Sequence, residues 1–268
     1  MKKKIKPKKR DGSRRPECLI RLNRRTLIPQ SENKCEVLFV GDIHWGSPQC
    51  DKPRVLRMID YCLLNNIYIF LMGDLIEIAT RDSIGAGVYE QEINGQTQYE
   101  EILDLLRPLA DKGLVLGILE GNHELRVYNS TGVNITKFFA RELKTRYLGS
   151  ACWNRFRVGK QSYMIYTLHG RSGSRFDGTA LLALERISTS FFCDLIVMGH
   201  THKLISSTVL IQKVERDRVR EHKKTLLISG SFLKYDGGYA QITGLPISKM
   251  GSPKVTFYTN KKDIDVSW

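Results

Sequence analysis

Five short apolar runs in the chain end in the same kind of polar cluster: Asp42-Ile43-His44, Gly73-Asp74, Gly121-Asn122-His123-Glu124, His169-Gly170 and Gly199-His200-Thr201-His202. The runs themselves, Glu36–Gly41, Ile67–Gly73, Leu114–Leu119, Ser162–Leu168 and Asp194–Gly199, are short and apolar, as buried strands are. Helical patterns separate them. Val55, Met58, Ile59, Cys62 and Leu63 share one face of 53–65, with Asp51 placed to cap it. Tyr99, Ile102, Leu103, Leu106, Leu109 and Ala110 stripe 98–111, and further helices are expected at 134–147 and 178–190. Alternating strands and helices predict a largely parallel sheet. Later strands at 204–213, 225–232 and 254–259, joined by turns, predict a second, mixed or antiparallel sheet. The expected class is α/β, with two sheets face to face and helices outside. Loops leaving the C-terminal edge of such a sheet converge on one crevice. Side chains from Asp42 to His202 would therefore meet there.

Composition bounds the rest. Hydrophobic residues at 41% and charged residues at 26% exclude a wholly disordered chain, and no apolar stretch approaches the ~20 residues of a membrane span. The net charge of +14 is uneven: residues 1–25 carry twelve Lys/Arg against two acids. Residues 1–30 are therefore expected to be a basic, flexible arm, with the folded domain over 31–268. Such an arm either solubilises the chain or attracts nucleic acid through phosphate contacts. Charge continues from Lys2 through Arg15 with no apolar segment after it, so export is not expected. The six cysteines show no CxxC spacing and read as reduced thiols in a cytoplasmic setting. There are no internal repeats, and no pattern sets an oligomeric state.

Five of the six histidines lie in the clusters; His222, within the charged stretch Val214–Lys224, is expected to face solvent. Imidazole with carboxylate suits Mn, Fe or Zn, and no cysteine stands among the clusters to make a thiolate zinc site. Asp42, His44, Asp74, Asn122, His169, His200 and His202 make seven candidate ligands, too many for one ion. Two ions sharing a carboxylate use the set economically, and paired ions activate a bridging water and clamp the oxygens of an in-line phosphoryl displacement.

The ordered series Asp42-x-His44, Gly73-Asp74, Gly121-Asn122-His123-Glu124, His169 and Gly199-His200-Thr201-His202 resembles the calcineurin-like metallophosphoesterases over roughly residues 36–235. The resemblance implies a four-layer α/β/β/α sandwich. It places one divalent ion on Asp42, His44, Asp74 and His202, and a second on Asp74, Asn122, His169 and His200, with Asp74 bridging. Manganese is implied first, with Fe, Zn, Ni or Co as alternatives. His123 would be a non-ligand near the leaving-group oxygen, able to donate a proton, and Glu124 would orient its imidazole. Every ligand position is filled, which disfavours the metal-free scaffolding members. Glu77 sits three residues after the bridging position and is assigned no catalytic role.

Arg126, Arg171, Arg175 and Lys203 are the candidate phosphate-binding groups, and Arg81–Gln96 is a candidate loop over the cleft. The expected substrate is a phosphodiester, with DNA or RNA suggested by the basic arm. A small-nucleotide phosphodiesterase or a phosphoprotein phosphatase is the alternative. A non-catalytic nucleic-acid-binding or scaffold protein ranks last. No membrane partner is expected.

Overall fold

The computed structural model describes residues 19–22, 33–80, 83, 88–170 and 176–268. The strands are β1 (Leu19–Leu22), β2 (Lys34–Val40), β3 (Tyr68–Leu71), β4 (Val115–Ile118), β5 (Ala151–Val158), β6 (Gln161–Leu168), β7 (Leu195–Met198), β8 (Leu204–Glu215), β9 (Arg218–Ser229), β10 (Lys254–Tyr258) and β11 (Ile264–Ser267). The helices are α1 (Lys52–Asn65), α2 (Gly95–Asp111), α3 (Asn122–Thr131), α4 (Ile135–Glu142), α5 (Asp177–Ser188) and the short α6 (Tyr239–Ile242). One sheet has the order β11-β10-β2-β3-β4 and the other β1-β5-β6-β7-β9-β8. Both are mixed and both carry helices, so the α/β class and two-sheet architecture hold. Within the segment expected to be an arm, Leu19–Leu22 runs parallel to β5; the rest of residues 1–32 lies outside the described residues.

Local chemistry explains the helices. The Asp51 carboxylate accepts from the Arg54 amide at 3.2 Å, and Asn66 in the left-handed conformation ends α1. Asn94 caps α2 in the same way, accepting from the Thr97 amide at 3.0 Å. Each helix buries the stripe its spacing announces: Val55, Met58, Ile59 and Cys62 from α1, and Ile102, Leu103, Leu106 and Leu109 from α2.

Sheet membership differs from the expectation. β6 and β7, which alternate with helices, join the second sheet rather than extending the first. β10 returns to pair antiparallel with β2, at the register Val255↔Val37. The two sheets meet through Phe257 of β10, whose ring lies 5.5 Å from Phe156 and 5.1 Å from Tyr163. Each fully buried ring of this kind contributes about 1.5–3 kcal/mol. The outer face of the second sheet is covered by α5, through Ala180 and Leu184 on Ile196, Met198, Leu226 and Ile228. Within each sheet the strands leading to the polar clusters run parallel: β2, β3 and β4 in one, β6 and β7 in the other. The sheets bring those C-terminal ends to one end of the sandwich, where the His169 Nδ1–H donates to the Met72 carbonyl at 2.9 Å. Among the described residues no helix is long and apolar enough to cross a membrane.

Candidate metal centre

Left-handed backbone is concentrated where the strands end. Asp42, His44, Asp74, His200 and His202 all have φ between 52° and 68°, a region that L-residues other than Asn, Asp and His seldom occupy. The loops that carry them are laced together. The Asp42 amide donates to the Gly73 carbonyl at 3.0 Å, and the Asp74 carbonyl accepts from Ile43 at 2.9 Å and His44 at 3.1 Å.

The laced loops gather all seven candidate ligands. Asp74 Oδ2 lies 3.3 Å from His169 Nε2 and 4.0 Å from His44 Nε2. Asp42 Oδ1 is 3.3 Å from His202 Nε2, which in turn is 3.2 Å from His44 Nε2. Asn122 Oδ1 lies 3.0 Å from His169 Nε2 and 2.6 Å from His200 Nδ1. Ligand atoms converge in three overlapping groups: Asp42, His44 and His202; Asp74, His169 and His200; and His44, Asp74 and His123.

Other groups aim these side chains. His44 Nδ1 donates to the Glu77 carboxylate at 3.0 Å, the carboxylate–histidine pairing that fixes the tautomer of a metal-binding imidazole. Glu77 thus has a positioning role that sequence spacing did not reveal. The backbone carbonyl of the same residue accepts from His123 Nδ1 at 2.6 Å. Glu124 does not reach the His123 ring, contrary to expectation. Its Oε1 accepts from the Leu75 amide at 2.7 Å, and its Oε2 from the Asp74 amide at 3.0 Å and the Gly121 amide at 3.2 Å. Glu124 staples the backbone beneath the site, and Glu77 orients the imidazole.

Burial opposes charge throughout this cluster, and neighbouring charges decide the outcome. Burial works against a charged His44, yet the Glu77 hydrogen bond and the charges of Glu77, Asp74 and Asp42 lift it to about 9. Burial is likewise overcome at His169, raised to about 10 mainly by Asp74. Despite burial, the imidazolium charges of His169 and His44 hold Asp74 well below the usual carboxylate range. His123 goes the other way: burial, with His44 and Arg126 beside it, lowers it to about 4 against the pull of Asp74.

A cation fits this donor set. Asp42 Oδ1 is buried and makes no well-aligned hydrogen bond, its nearest ring nitrogen being His202 Nε2 at 3.3 Å, although a carboxylate oxygen is costly to leave unpaired. His44 and His202 point ring nitrogens at one another across 3.2 Å, so that only a proton or a cation can reconcile them. Carboxylate oxygen with imidazole nitrogen is a set for first-row divalent ions.

A profile of the calcineurin-like phosphoesterases matches residues 36–204 of the chain. The chain belongs to that family. No curated protein sequence matches it. Among solved structures, the calcineurin-like fold here is similar to Yfce, a phosphoesterase from E. coli, at 16% identity and a TM-score of 0.40, covering 87% of this chain and 98% of that one. It is also similar to a metallophosphoesterase from Sphaerobacter thermophilus, at 14% identity and TM-score 0.37 over 86% of each chain. Vps29 of Entamoeba histolytica, solved with Zn+2, is similar at 15% identity and TM-score 0.34, covering 87% of this chain and 97% of that one.

The remaining candidate residues of this calcineurin-like phosphoesterase separate clearly. Arg126 sits at the site, its guanidinium 3.3 Å from both His123 Nδ1 and Ser83 Oγ. Lys203 is buried and committed elsewhere, to Ser248 Oγ at 2.7 Å and Asp177 Oδ1 at 3.1 Å, so it is not a free phosphate grip. Arg171 and Arg175 lie outside the described residues, as does part of Arg81–Gln96. The described part of that segment folds back on the site loop, where Gln91 Oε1 accepts from the Ala79 amide at 2.8 Å. His222 is half-buried rather than solvent-facing; its ring stacks on Phe192 and Nε2 donates to the Cys193 carbonyl at 2.9 Å. Cys50, Cys62 and Cys193 are buried free thiols.

Gly121 supplies one sharp test of this packing. A Cβ there would land on the Asp74 amide and its Oδ1, and 2.5 Å from Glu124 Oε2. Overpacking costs about 1–3 kcal/mol where neighbours can yield, and backbone yields least. Gly121→Ala should lower the melting temperature and weaken cation binding together. A folded, fully metal-loaded variant would show that this approach is not tight.

Proposed function

We propose that this phosphoesterase hydrolyses phosphodiester bonds with two divalent cations, manganese first, and that its substrate is nucleic acid. One cation would be held by Asp42, His44, Asp74 and His202, the other by Asp74, Asn122, His169 and His200. The observation that carries this is the position of Asp74 Oδ2, within 3.3–4.0 Å of imidazoles from both groups. Bound there, the cations would acidify a water and offset the charge that builds on phosphoryl oxygens during in-line displacement.

The chain's own residues do the rest. Glu77 holds the His44 ring so that Nε2 faces inward. Glu124 ties Asp74 to the start of α3, which keeps Asn122 and Asp74 in register. His123 keeps its Nδ1 proton on the Glu77 carbonyl, leaving Nε2, 4.0 Å from Asp74 Oδ2, to face the reacting group. Negative charge on a bound phosphoester would raise its low proton affinity and let it protonate the departing oxygen. Arg126, 3.3 Å from the His123 ring, would meet a phosphoryl oxygen.

The nucleic-acid assignment rests on the basic N-terminal sequence, twelve Lys/Arg against two acids in residues 1–25. The test is a panel of aryl mono- and diesters, cyclic nucleotides, a phosphopeptide, and single- and double-stranded DNA and RNA, assayed with Mn. Nucleic-acid cleavage that weakens steeply with salt, less so after deletion of residues 1–25, is the expected result. Cleavage of cyclic nucleotides or phosphopeptide alone would replace that substrate class. Inactivity of metal-loaded protein on all of them would leave a binding protein.

A pH signature follows from the two raised histidines. In the metal-free chain His44 (about 9) and His169 (about 10) carry protons at neutrality, and coordination requires both to leave. Metal uptake at pH 7 should release about two protons, and affinity should rise with pH up to about 10, where the second of the two has titrated. The metal-free fold has the opposite slope. These groups titrate near 6.5 when unfolded, so their stabilisation is complete below that pH and lost as pH climbs through 9 and 10. Calorimetry in buffers of differing ionisation enthalpy measures the protons; zero release would contradict the arrangement.

A further inference from the structure

We infer that the chain self-associates through the free edge of β8, two copies joining antiparallel about a two-fold axis at Gln212. β8 and β9 form a hairpin of twelve paired residues on each side, from Leu204↔Ser229 to Glu215↔Arg218, without a register shift. Only the inner part of this hairpin belongs to the body of the sheet, because β7 pairs with Thr225–Ile228 alone. Among the described residues no third strand pairs with the outer part, which leans on the body through Phe192 under His222 and Lys213, and a two-stranded ribbon gains stability from a third strand.

β8 is the last strand of its sheet, and among the described residues nothing pairs with its outer edge. Natural edges are blunted by proline, bulges or scattered charge. β8, LISSTVLIQKVE, has no proline, glycine or bulge, and its only charges, Lys213 and Glu215, pair with one another at 2.8 Å. The ribbon also exposes apolar residues: Leu210 is 62% exposed, Val214 70% and Val219 64%.

Hydrogen-bond alternation sets the register. Arg216 and Asp217, at φ 49° and 60°, make a two-residue turn, which closes Glu215↔Arg218 as a hydrogen-bonded pair. Counting back from that pair, the N–H and C=O groups of Val214, Gln212 and Leu210 point outward, away from β9. A two-fold axis at Gln212 sets Leu210 of one copy opposite Val214 of the other, twice, with Gln212 facing Gln212 between them. The two exposed apolar residues of the edge thus cover each other, and the outward groups pair in the same step. This pattern favours a second copy over a polyanion, which would leave both apolar groups wet. The six-stranded sheet would become continuous across the dimer.

The test is the mass of the full-length, metal-loaded chain by sedimentation equilibrium. Wild type should be dimeric. L210K/V214K, which sets lysines opposite one another on exposed positions, should weaken association about tenfold or more while keeping the melting temperature and aryl-phosphodiester turnover. Gln212→Cys should cross-link on oxidation, since the facing Cα atoms would lie about 5.5 Å apart, within disulfide reach. Thr208→Cys should not. A monomeric wild type, a dimer indifferent to L210K/V214K, or one cross-linked by T208C and not Q212C would overturn the proposal. So would dimerisation seen only after deletion of residues 1–32, which would mean that the chain covers its own edge. A monomer whose ribbon variants lose duplex DNA would assign the ribbon to nucleic acid instead.

Discussion

Asp74→Asn should remove both cations and reduce turnover by at least about a thousandfold, the scale seen when groups that act as a unit lose a member. The carboxylate is buried, with Oδ1 accepting from the His123 amide at 2.8 Å and Oδ2 turned toward His169 and His44. An asparagine that keeps the His123 bond must point its NH2 donors at the place where a cation would sit. The flipped amide would aim those donors at the His123 N–H instead. Neither orientation serves. The loss of charge also leaves His169 and His44 without the neighbour that favours their protonated forms, so both should titrate lower in the metal-free variant. Elemental analysis of protein purified without chelator, beside turnover of an aryl diester, decides the matter. Retention of both ions would remove Asp74 from the bridging position.

His123→Ala should separate the two quantities, keeping the cations while lowering turnover by roughly a hundredfold to ten-thousandfold, the range for a positioned proton donor. Its Nδ1 is engaged by the Glu77 carbonyl, and its ring meets His44 edge-on at 4.4 Å between centroids. The competing possibility is visible in the geometry, because His44, Asp74 and His123 also form a group with converging ligand atoms. A variant that lost a cation would place His123 among the ligands. A variant that kept both and lost the acidic or basic limb of the rate profile would mark it as the group that moves the proton.

The centre was far more legible in the sequence than the sheets around it. Every candidate ligand ends an apolar run, and the residue types Asp, His and Asn tolerate the left-handed backbone that such strand ends require. Sheet membership left no comparable mark. LIVM in β7 and YIFL in β3 are equally apolar, so nothing local says that they belong to different sheets. β5 was missed because Asn154 stands in its buried row, satisfied by the Cys152 carbonyl and Thr167 Oγ1 from across the ladder. α3 was missed because it buries only His123 and Glu124, so its pattern carries no apolar stripe. Glu124 and Lys203 show the limit for charged residues. Their neighbours in sequence suggest that Glu124 orients His123 and that Lys203 grips phosphate, whereas tertiary partners commit the first to backbone amides and the second to Asp177 and Ser248.

Five of the seven proposed ligands stand on torsions that glycine would adopt without resistance. Each such residue costs on the order of 1 kcal/mol in the empty protein, a load that coordination would offset. In the proposed centre, heat tolerance and catalysis would therefore pull in opposite directions at positions 42, 44, 74, 200 and 202. Breeding this scaffold for thermal endurance alone would favour glycine or asparagine there, and would yield sturdy proteins that no longer turn over.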